Sequence, residues 1–298
     1  MNKILVTGYN GFIGYNLVQE LLKKYQVIGI SNKQESKQNI IHIKKDVRKL
    51  TEQELPRDIS HIVHLAALTD VSFCQENPSE CIDINVRGTQ NMLEIARKIQ
   101  AKFLYLSTSH VYGIPVKLPI KENHPRNPLS IYASSKLAGE IISQSYARSY
   151  DMNLSIVRLF SIYGPHSPPY LVTSKIIHQL MKGNEIKLGN LYPKRDFLHV
   201  KDAVIAIELI LRKTKKFNVY NVGSGKSYSI RQVCNILSKL YGKNISIKSI
   251  NSESRKSEIA NVVSDVTKIK KMGWKSHVDI HKGLGMTLEW YRKHYSKL

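Results

Sequence analysis

Cysteine is scarce in this chain: Cys74, Cys81 and Cys234 are the whole complement, and no two of them form a CxxC pair. That excludes a disulfide framework and a thiolate metal site, and it predicts a reducing, cytoplasmic setting. Long apolar runs are missing too. No stretch reaches the roughly 18 apolar residues of a membrane-spanning helix, so none is expected. The opening MNKILVTGYNGFIG passes from one lysine straight into a strand-and-glycine pattern, without the apolar h-region of a signal peptide. Acidic residues are the third shortage, with 23 Asp and Glu against 45 Lys and Arg, a formal charge of +22. Such a balance suits a polyanionic ligand or surface. Yet the lysines are scattered through NKQESKQNIIHIKKDVRK, LRKTKKF and KIKKMGWK, and no helix face interleaves basic with aromatic residues. The reading is a lysine-rich surface with a phosphate-bearing ligand, rather than nucleic acid.

What is present is globular. With 298 residues, 42% of them hydrophobic, the chain can bury one large core or two modest ones. KILVTG, QVIGIS, HIVHLA, KFLYLSTS and NLSIVRLFS read as strands. Between them GYNLVQELLKKY, DINVRGTQNMLEIARKIQ and YASSKLAGEIISQSYARSY carry the helical period. Strand and helix in alternation predict an α/β fold, a doubly wound parallel sheet of Rossmann type. After Gly164 the proline-rich GPHSPPY changes the periodicity, and VTSKIIHQLMKG reads as a helix stopped by glycine. KDAVIAIELILRK and VYNVGSG return a helix and a strand to the sheet. SIRQVCNILSKLYG opens on a capping box of Ser229 and Gln232. The predicted layout is a dinucleotide-binding domain over 1–165 plus about 196–223, and a smaller C-terminal α/β substrate domain over about 166–195 and 224–298.

VTGYNGFIG sets Gly8, Gly11 and Gly14 between the first strand and its helix, with Asn10, Phe12 and Ile13 among them. This GxxGxxG spacing is a variant of the dinucleotide fingerprint. Glycine lets a pyrophosphate approach the backbone, and the helix N-terminus offers N–H donors and positive potential. At the end of the second strand an acid would bind the ribose hydroxyls of NAD. Ser31, Asn32 and Lys33 stand there instead, a set that accepts a 2′-phosphate, so NADP(H) is favoured over NAD(H).

IYASSK then places Tyr132 and Lys136 four residues apart on one helical face. A phenol titrates near about 10, and an adjacent ammonium stabilises its phenolate, so Tyr132 becomes a candidate acid/base. With TGYNGFIG, KDV, VHLAA, INVRGT, LSTSHVYG, YASSK, RLFSIYGP, RDFLHVKD and YNVGSG in this order, the chain resembles the extended short-chain dehydrogenase/reductases of the nucleotide-sugar epimerase, dehydratase and reductase group. The resemblance covers nearly the whole chain. It implies cofactor contacts from Asp46, Val47, Leu65, Ala66, Ala67 and Asn85, with Lys136 on the nicotinamide ribose. Tyr132 would be the proton donor and acceptor, and Thr108 would hydrogen-bond the reacting oxygen. Ser109, His110, Ser161 and Asn190 would face the sugar nucleotide, with Arg195 and Arg255 clamping its pyrophosphate. The helices after Asn85 and through Tyr132 would pair with a second copy as a four-helix bundle, giving a homodimer.

Two departures matter. Dehydratases of this group read like STDEVYG or STSEVYG, whereas Ser109 and His110 occupy those places here. Without that acid, elimination of water from the sugar loses its acid/base. Ser161 stands where the family's RxxNxYGP carries asparagine. The segment IKLGNLYPKRDF resembles one seen in enzymes of GDP-mannose derivatives, dehydratases and 4-keto reductases alike, and the tail ESRKSEIANVVSDVTKIKKMGWKS resembles that of GDP-4-keto-6-deoxymannose reductases. The expected activity is therefore NADPH-dependent reduction of the 4-keto group of a nucleotide-linked 4-keto-6-deoxyhexose, GDP-linked by preference. The alternative is a nucleotide-hexose 4-epimerase with bound NAD, and a more distant one a non-catalytic NADP-sensing or RNA-binding protein. His64, His199, Cys74 and Cys81 are expected to be structural, and Met92, Leu93, Ile95 and Ile99 to be core or interface.

Overall fold

Short apolar runs bracketed by turn residues form the strands of one parallel sheet, and the amphipathic segments between them cover its two faces. The computed structural model describes residues 2–33, 38–250 and 259–295. The chain begins with β1 (Lys3–Thr7), α1 (Phe12–Leu21), β2 (Gln26–Ser31), β3 (Ile41–Lys44) and β4 (Ile59–His64). Two short helices, α2 (Val71–Glu76) and α3 (Pro78–Ile82), lead through a π-helical turn at Asp83–Arg87 into α4 (Gly88–Lys98). β5 (Lys102–Thr108), α5 (Ile131–Ser149), β6 (Leu154–Leu159) and β7 (Ser161–Tyr163) follow. Next come α6 (Val172–Lys182), β8 (Glu185–Leu188), β9 (Lys194–Arg195), β10 (Phe197–His199), α7 (Val200–Lys213) and β11 (Asn218–Val222). The chain closes with β12 (Tyr228–Ser229), α8 (Ile230–Tyr241), β13 (Ser246–Ser249), α9 (Thr267–Lys271) and α10 (Ile280–Tyr295).

The main sheet has seven strands in the order β11-β6-β5-β4-β1-β2-β3, and every neighbouring pair is parallel. The winding direction reverses between β1 and β4, the switch point at which doubly wound sheets bind ligands beyond their C-terminal ends. Thr7, His64 and Thr108 end β1, β4 and β5, so all three stand on that rim. β3 was not anticipated: its sequence, IHIK, alternates weakly and Ile41 is exposed, as an edge strand allows.

On one face α1 and α7 pack around Leu17, Val18, Ala203, Ile207 and Ile210; on the other α4 and α5 bury Met92, Leu93, Ile95 and Ala147. A separate core unites α6, α8 and α10 through Ile176, Leu180, Val233, Leu237, Leu284 and Leu288. Val266, Ile269 and Trp274 join the α1/α7 core, so the chain returns to the main sheet after its excursion through α8. The capping box of α8 forms in both directions, Ser229 Oγ accepting from the Gln232 amide at 3.1 Å and Gln232 accepting from the Ser229 amide at 2.7 Å. Buried Asp196 ties the crossings together by accepting from the backbone amides of Ser224, Gly225 and Ser264.

Candidate active site

The glycine loop closes on the β4 rim. Gly8 holds φ of +67°, and a Cβ there would lie 2.9 Å from the Cα of Ala66. A Cβ on Gly14 would lie 2.3 Å from the carbonyl oxygen of Gly8, so the N-terminus of α1 presses directly on the loop. The amides of Phe12, Ile13 and Gly14 open that helix and have no intrahelical acceptor. A backbone cradle that tolerates no Cβ, below a helix N-terminus, fits a dinucleotide pyrophosphate. Ser31 is buried and donates to Asn10 Oδ1 at 2.8 Å, while its own oxygen accepts the Lys33 amide at 3.1 Å. Only Asn32 and Lys33 of that trio face solvent. Arg48 donates to both carboxylate oxygens of Asp46 and holds its carboxyl below the usual range, while Val47 is buried against Gly88.

Leu65, Ala66 and Ala67 are fixed by a chain of polar contacts. Thr7 Oγ1 accepts the amides of Leu65 and Ala66 at 3.2 and 3.1 Å, which leaves its proton for His64 Nδ1 at 2.8 Å. Thr89 donates to the Asn85 carbonyl at 2.6 Å, so it accepts from His64 Nε2 at 3.2 Å. His64 is therefore the neutral Nε2–H tautomer. Asn85 spends its amide on both backbone groups of Leu68 and on Ser135 Oγ. These bonds hold the turn at 65–68 in place.

Burial brings His64 down to about 3 and both His61 and His199 down to about 4. A free imidazole titrates near about 6.5, so the unfolded chain takes up protons below that pH that the folded chain refuses. Stability is full above this value and is lost as pH falls from there toward 4, by about 1.4 kcal/mol per pH unit for each histidine. Urea unfolding at several pH values measures the slope. His64→Gln should flatten it by one proton's worth, and an unchanged slope would rule out a neutral buried His64.

Thr108, Tyr132 and Lys136 come together although Thr108 ends a strand and the other two open α5. Ser130 caps that helix by accepting the Ala133 amide at 3.2 Å, which fixes where Tyr132 begins its first turn. Tyr132 is partly exposed as a whole residue, whereas its hydroxyl is enclosed by protein. Burial pushes the phenol above its usual value, and a hydrogen bond with Thr108 acts in the opposite sense. Lys136 lies over the Tyr105 ring at 4.2 Å, and burial brings its ammonium down to about 7 against the pull of Glu140. Phenol and ammonium thus both lie in desolvated surroundings, an arrangement able to donate and accept a proton.

His110 is exposed and edge-on to Tyr132, ring centroids 5.9 Å apart, with its amide donating to Thr108 Oγ1 at 3.2 Å. Across the cleft Thr69 and Tyr170 share a hydrogen bond of 2.8 Å. Ser161 lies on β7, its amide donating to the Asp196 carbonyl. Asn190 accepts the Tyr192 amide at 3.0 Å, and Arg195 donates to the carbonyls of Lys194 and Ile259. Arg255 lies outside the described residues.

Sequence reasoning overlooked a buried network beneath the site. Glu140 and Arg158 are 1% and 2% exposed, and Arg158 donates to both oxygens of Glu140 at 2.8 and 2.6 Å. Ser107 donates to the same carboxylate at 2.6 Å. Arg158 Nη1 donates to Tyr112 Oη and to the Glu122 carbonyl, each at 2.8 Å, and Tyr112 in turn donates to Asn221. A signal was available: an arginine among the apolar residues of the strand NLSIVRLFS, once that strand is buried in the sheet, demands a buried anion.

The family described as GDP-mannose 4,6 dehydratase matches residues 5–287 of this chain. A putative UDP-glucose 4-epimerase of Methanocaldococcus jannaschii is 33% identical over 97% of this chain and 98% of its own length. The human dTDP-D-glucose 4,6-dehydratase is 31% identical over 98% of this chain and 91% of its own. Among solved structures, the UDP-glucuronic acid 4-epimerase of Bacillus cereus, in complex with UDP-glucuronic acid and NAD, superposes with a TM-score of 0.90 at 27% identity, covering 98% of this chain and 99% of that one. A switch-point glycine cradle, an enclosed Tyr–Lys pair and likeness along the whole length agree: the chain belongs to the extended short-chain dehydrogenase/reductase family of nucleotide-sugar epimerases and dehydratases.

Proposed function

We propose that the protein is an NAD-dependent 4-epimerase of a nucleotide-linked hexose. The carrying observation is the enclosed trio of Thr108, Tyr132 and Lys136, in which the groups acting most on the Tyr132 phenol are Thr108, Tyr170, Cys74 and Cys81, none of them a carboxylate. Bound NAD supplies a hydride acceptor and donor for C4 of the sugar. Tyr132 takes the proton of the C4 hydroxyl as that carbon is oxidised and returns it after the sugar has turned over. Thr108 hydrogen-bonds the same oxygen, and Lys136 stabilises the phenolate while holding ribose hydroxyls. Dehydration would further require an acid/base for the C5 proton and the C6 hydroxyl, and the strand motif offers His110 in the dehydratase acid's place.

The expected reductase is thereby displaced to second reading, since similar proteins over the full length are epimerases and dehydratases. One observation still favours it, the exposed Asn32 and Lys33 and the missing acid after β2, which suit NADP(H). The purified protein is to be denatured, its released nucleotide identified, and the native protein incubated with UDP-hexoses, UDP-hexuronic acids and GDP-4-keto-6-deoxymannose. Bound NAD and a C4 epimer formed without net cofactor use support the first reading. Net NADPH oxidation on the keto sugar overturns it in favour of the second.

A homodimer belongs to the same proposal. Ile82, 48% exposed, lines a groove with the half-buried Val86, Ile142 and Tyr146, and Ile141 on α5 is 51% exposed. Sedimentation showing only a 34.0 kDa species would refute it.

A further inference from the structure

We propose that Glu140 is a positioning residue of the acid/base pair, clamping the strand end that carries Thr108 to the helix that carries Tyr132 and Lys136, and supplying the buried negative charge that faces the Lys136 ammonium. The proposal rests on the Tyr132 chemistry assigned above.

The geometry is a junction of three elements. Glu140 follows Lys136 by four residues on α5, so the two side chains occupy one helical face. Its carboxylate accepts from Ser107, the residue directly before Thr108, at 2.6 Å. Arg158 on β6 grips the same carboxylate through two nitrogens and is itself anchored to Tyr112 and Glu122. The Thr108–Tyr132 approach is thus set from below by one side chain shared between β5 and α5. A carboxylate placed only to neutralise Arg158 would need neither the Ser107 contact nor the position one turn beyond Lys136.

The charges around the pair fall into two shells. Lys136 is faced by Tyr105 from β5, Cys81 from α3, His64 from β4 and, on its own helix, Glu140, while Tyr132 precedes it by one turn. Glu140 is faced by Arg158 from β6, by Arg126 at 3.7 Å from the loop before α5, and by Tyr105 and Tyr112. Of these groups only Glu140 is an anion acting on Lys136. Burial favours the neutral amine, and Glu140 opposes it. Removing the carboxylate charge therefore makes Lys136 lose its proton at lower pH, and Tyr132, deprived of a cation, forms its phenolate at higher pH.

The test uses Glu140→Gln, Glu140→Asp, and the double variant Glu140→Gln/Arg158→Met, which leaves no unpaired buried guanidinium should the single change fail to fold. Two readouts are taken: the pH profile of kcat and KM, and the phenolate absorbance of Tyr132, obtained by difference from the matching Tyr132→Phe protein. The expected result for the Gln variants is an alkaline limb of kcat moved about one pH unit downward, roughly a tenfold loss of kcat above it, and little change in KM. The Tyr132 titration moves upward in the same proteins, and Glu140→Asp restores both in part. A folded Gln variant with the wild-type pH profile and wild-type Tyr132 titration overturns the proposal and leaves Glu140 a purely structural ion-pair partner. If the wild-type protein turns over no nucleotide sugar, the reaction assignment fails by itself, and the phenolate titration still decides the role of Glu140.

Discussion

Tyr132→Phe is expected to lower turnover by about 10²–10⁴-fold, the range that a positioned general acid/base contributes, with cofactor binding nearly unchanged. The substitution removes one oxygen and keeps the ring beside His110. Thr108 loses the phenol as hydrogen-bond partner but its oxygen still accepts the His110 amide. Lys136 keeps its place over the Tyr105 ring, so its share of nucleotide binding survives. Steady-state kcat for the sugar interconversion and calorimetric titration with NAD measure the two halves of the expectation. Turnover within a few-fold of wild type would remove Tyr132 from the chemistry and leave its ring neighbour His110 to explain it. Loss of NAD binding together with turnover would point instead to collapse of the pocket.

Gly14→Ala should abolish dinucleotide binding at ordinary cofactor concentrations. The added methyl would meet the Gly8 carbonyl oxygen at 2.3 Å and backbone atoms of Tyr9 at 2.7 Å. Backbone cannot rotate aside as a side chain can, so α1 must withdraw from the loop. Overpacking of this kind costs about 1–3 kcal/mol, and it falls on the helix end that would bind the pyrophosphate. Gly8 cannot compensate, since its φ of +67° and its contact with Ala66 fix it from the other side. Thermal unfolding with and without NAD separates the two effects: the apo protein should melt somewhat lower, and the stabilisation on adding NAD should vanish. A full ligand-induced rise in Tm would show that the pyrophosphate binds elsewhere.

The sequence carried much of this. Alternating periods predicted six strands of the main sheet, and the seventh, β3, escaped because an edge strand needs few apolar residues. Ser31 shows the limit on the cofactor side: its position after β2 was legible, but its hydroxyl turns inward to Asn10, which no pattern in VIGISNKQES reveals. The same holds for Asn85, whose amide is consumed by Leu68 and Ser135. Substrate specificity was read toward a keto-sugar reductase from short segments in the second half of the chain, whereas likeness over the whole length is to epimerases and dehydratases.

The sequence by itself determined the doubly wound fold, the glycine cradle and the Tyr132–Lys136 pair, because each is local: strand and helix periods, a nine-residue turn, and a four-residue step along one helix face. Only the tertiary structure decided that Thr108 meets Tyr132, that Ser107 and Arg158 share Glu140, and that His64 stays neutral between Thr7 and Thr89. Those contacts join residues from 18 to 57 positions apart. They depend on which strands pair and in what register, and the proton affinities that follow depend on burial by the whole chain.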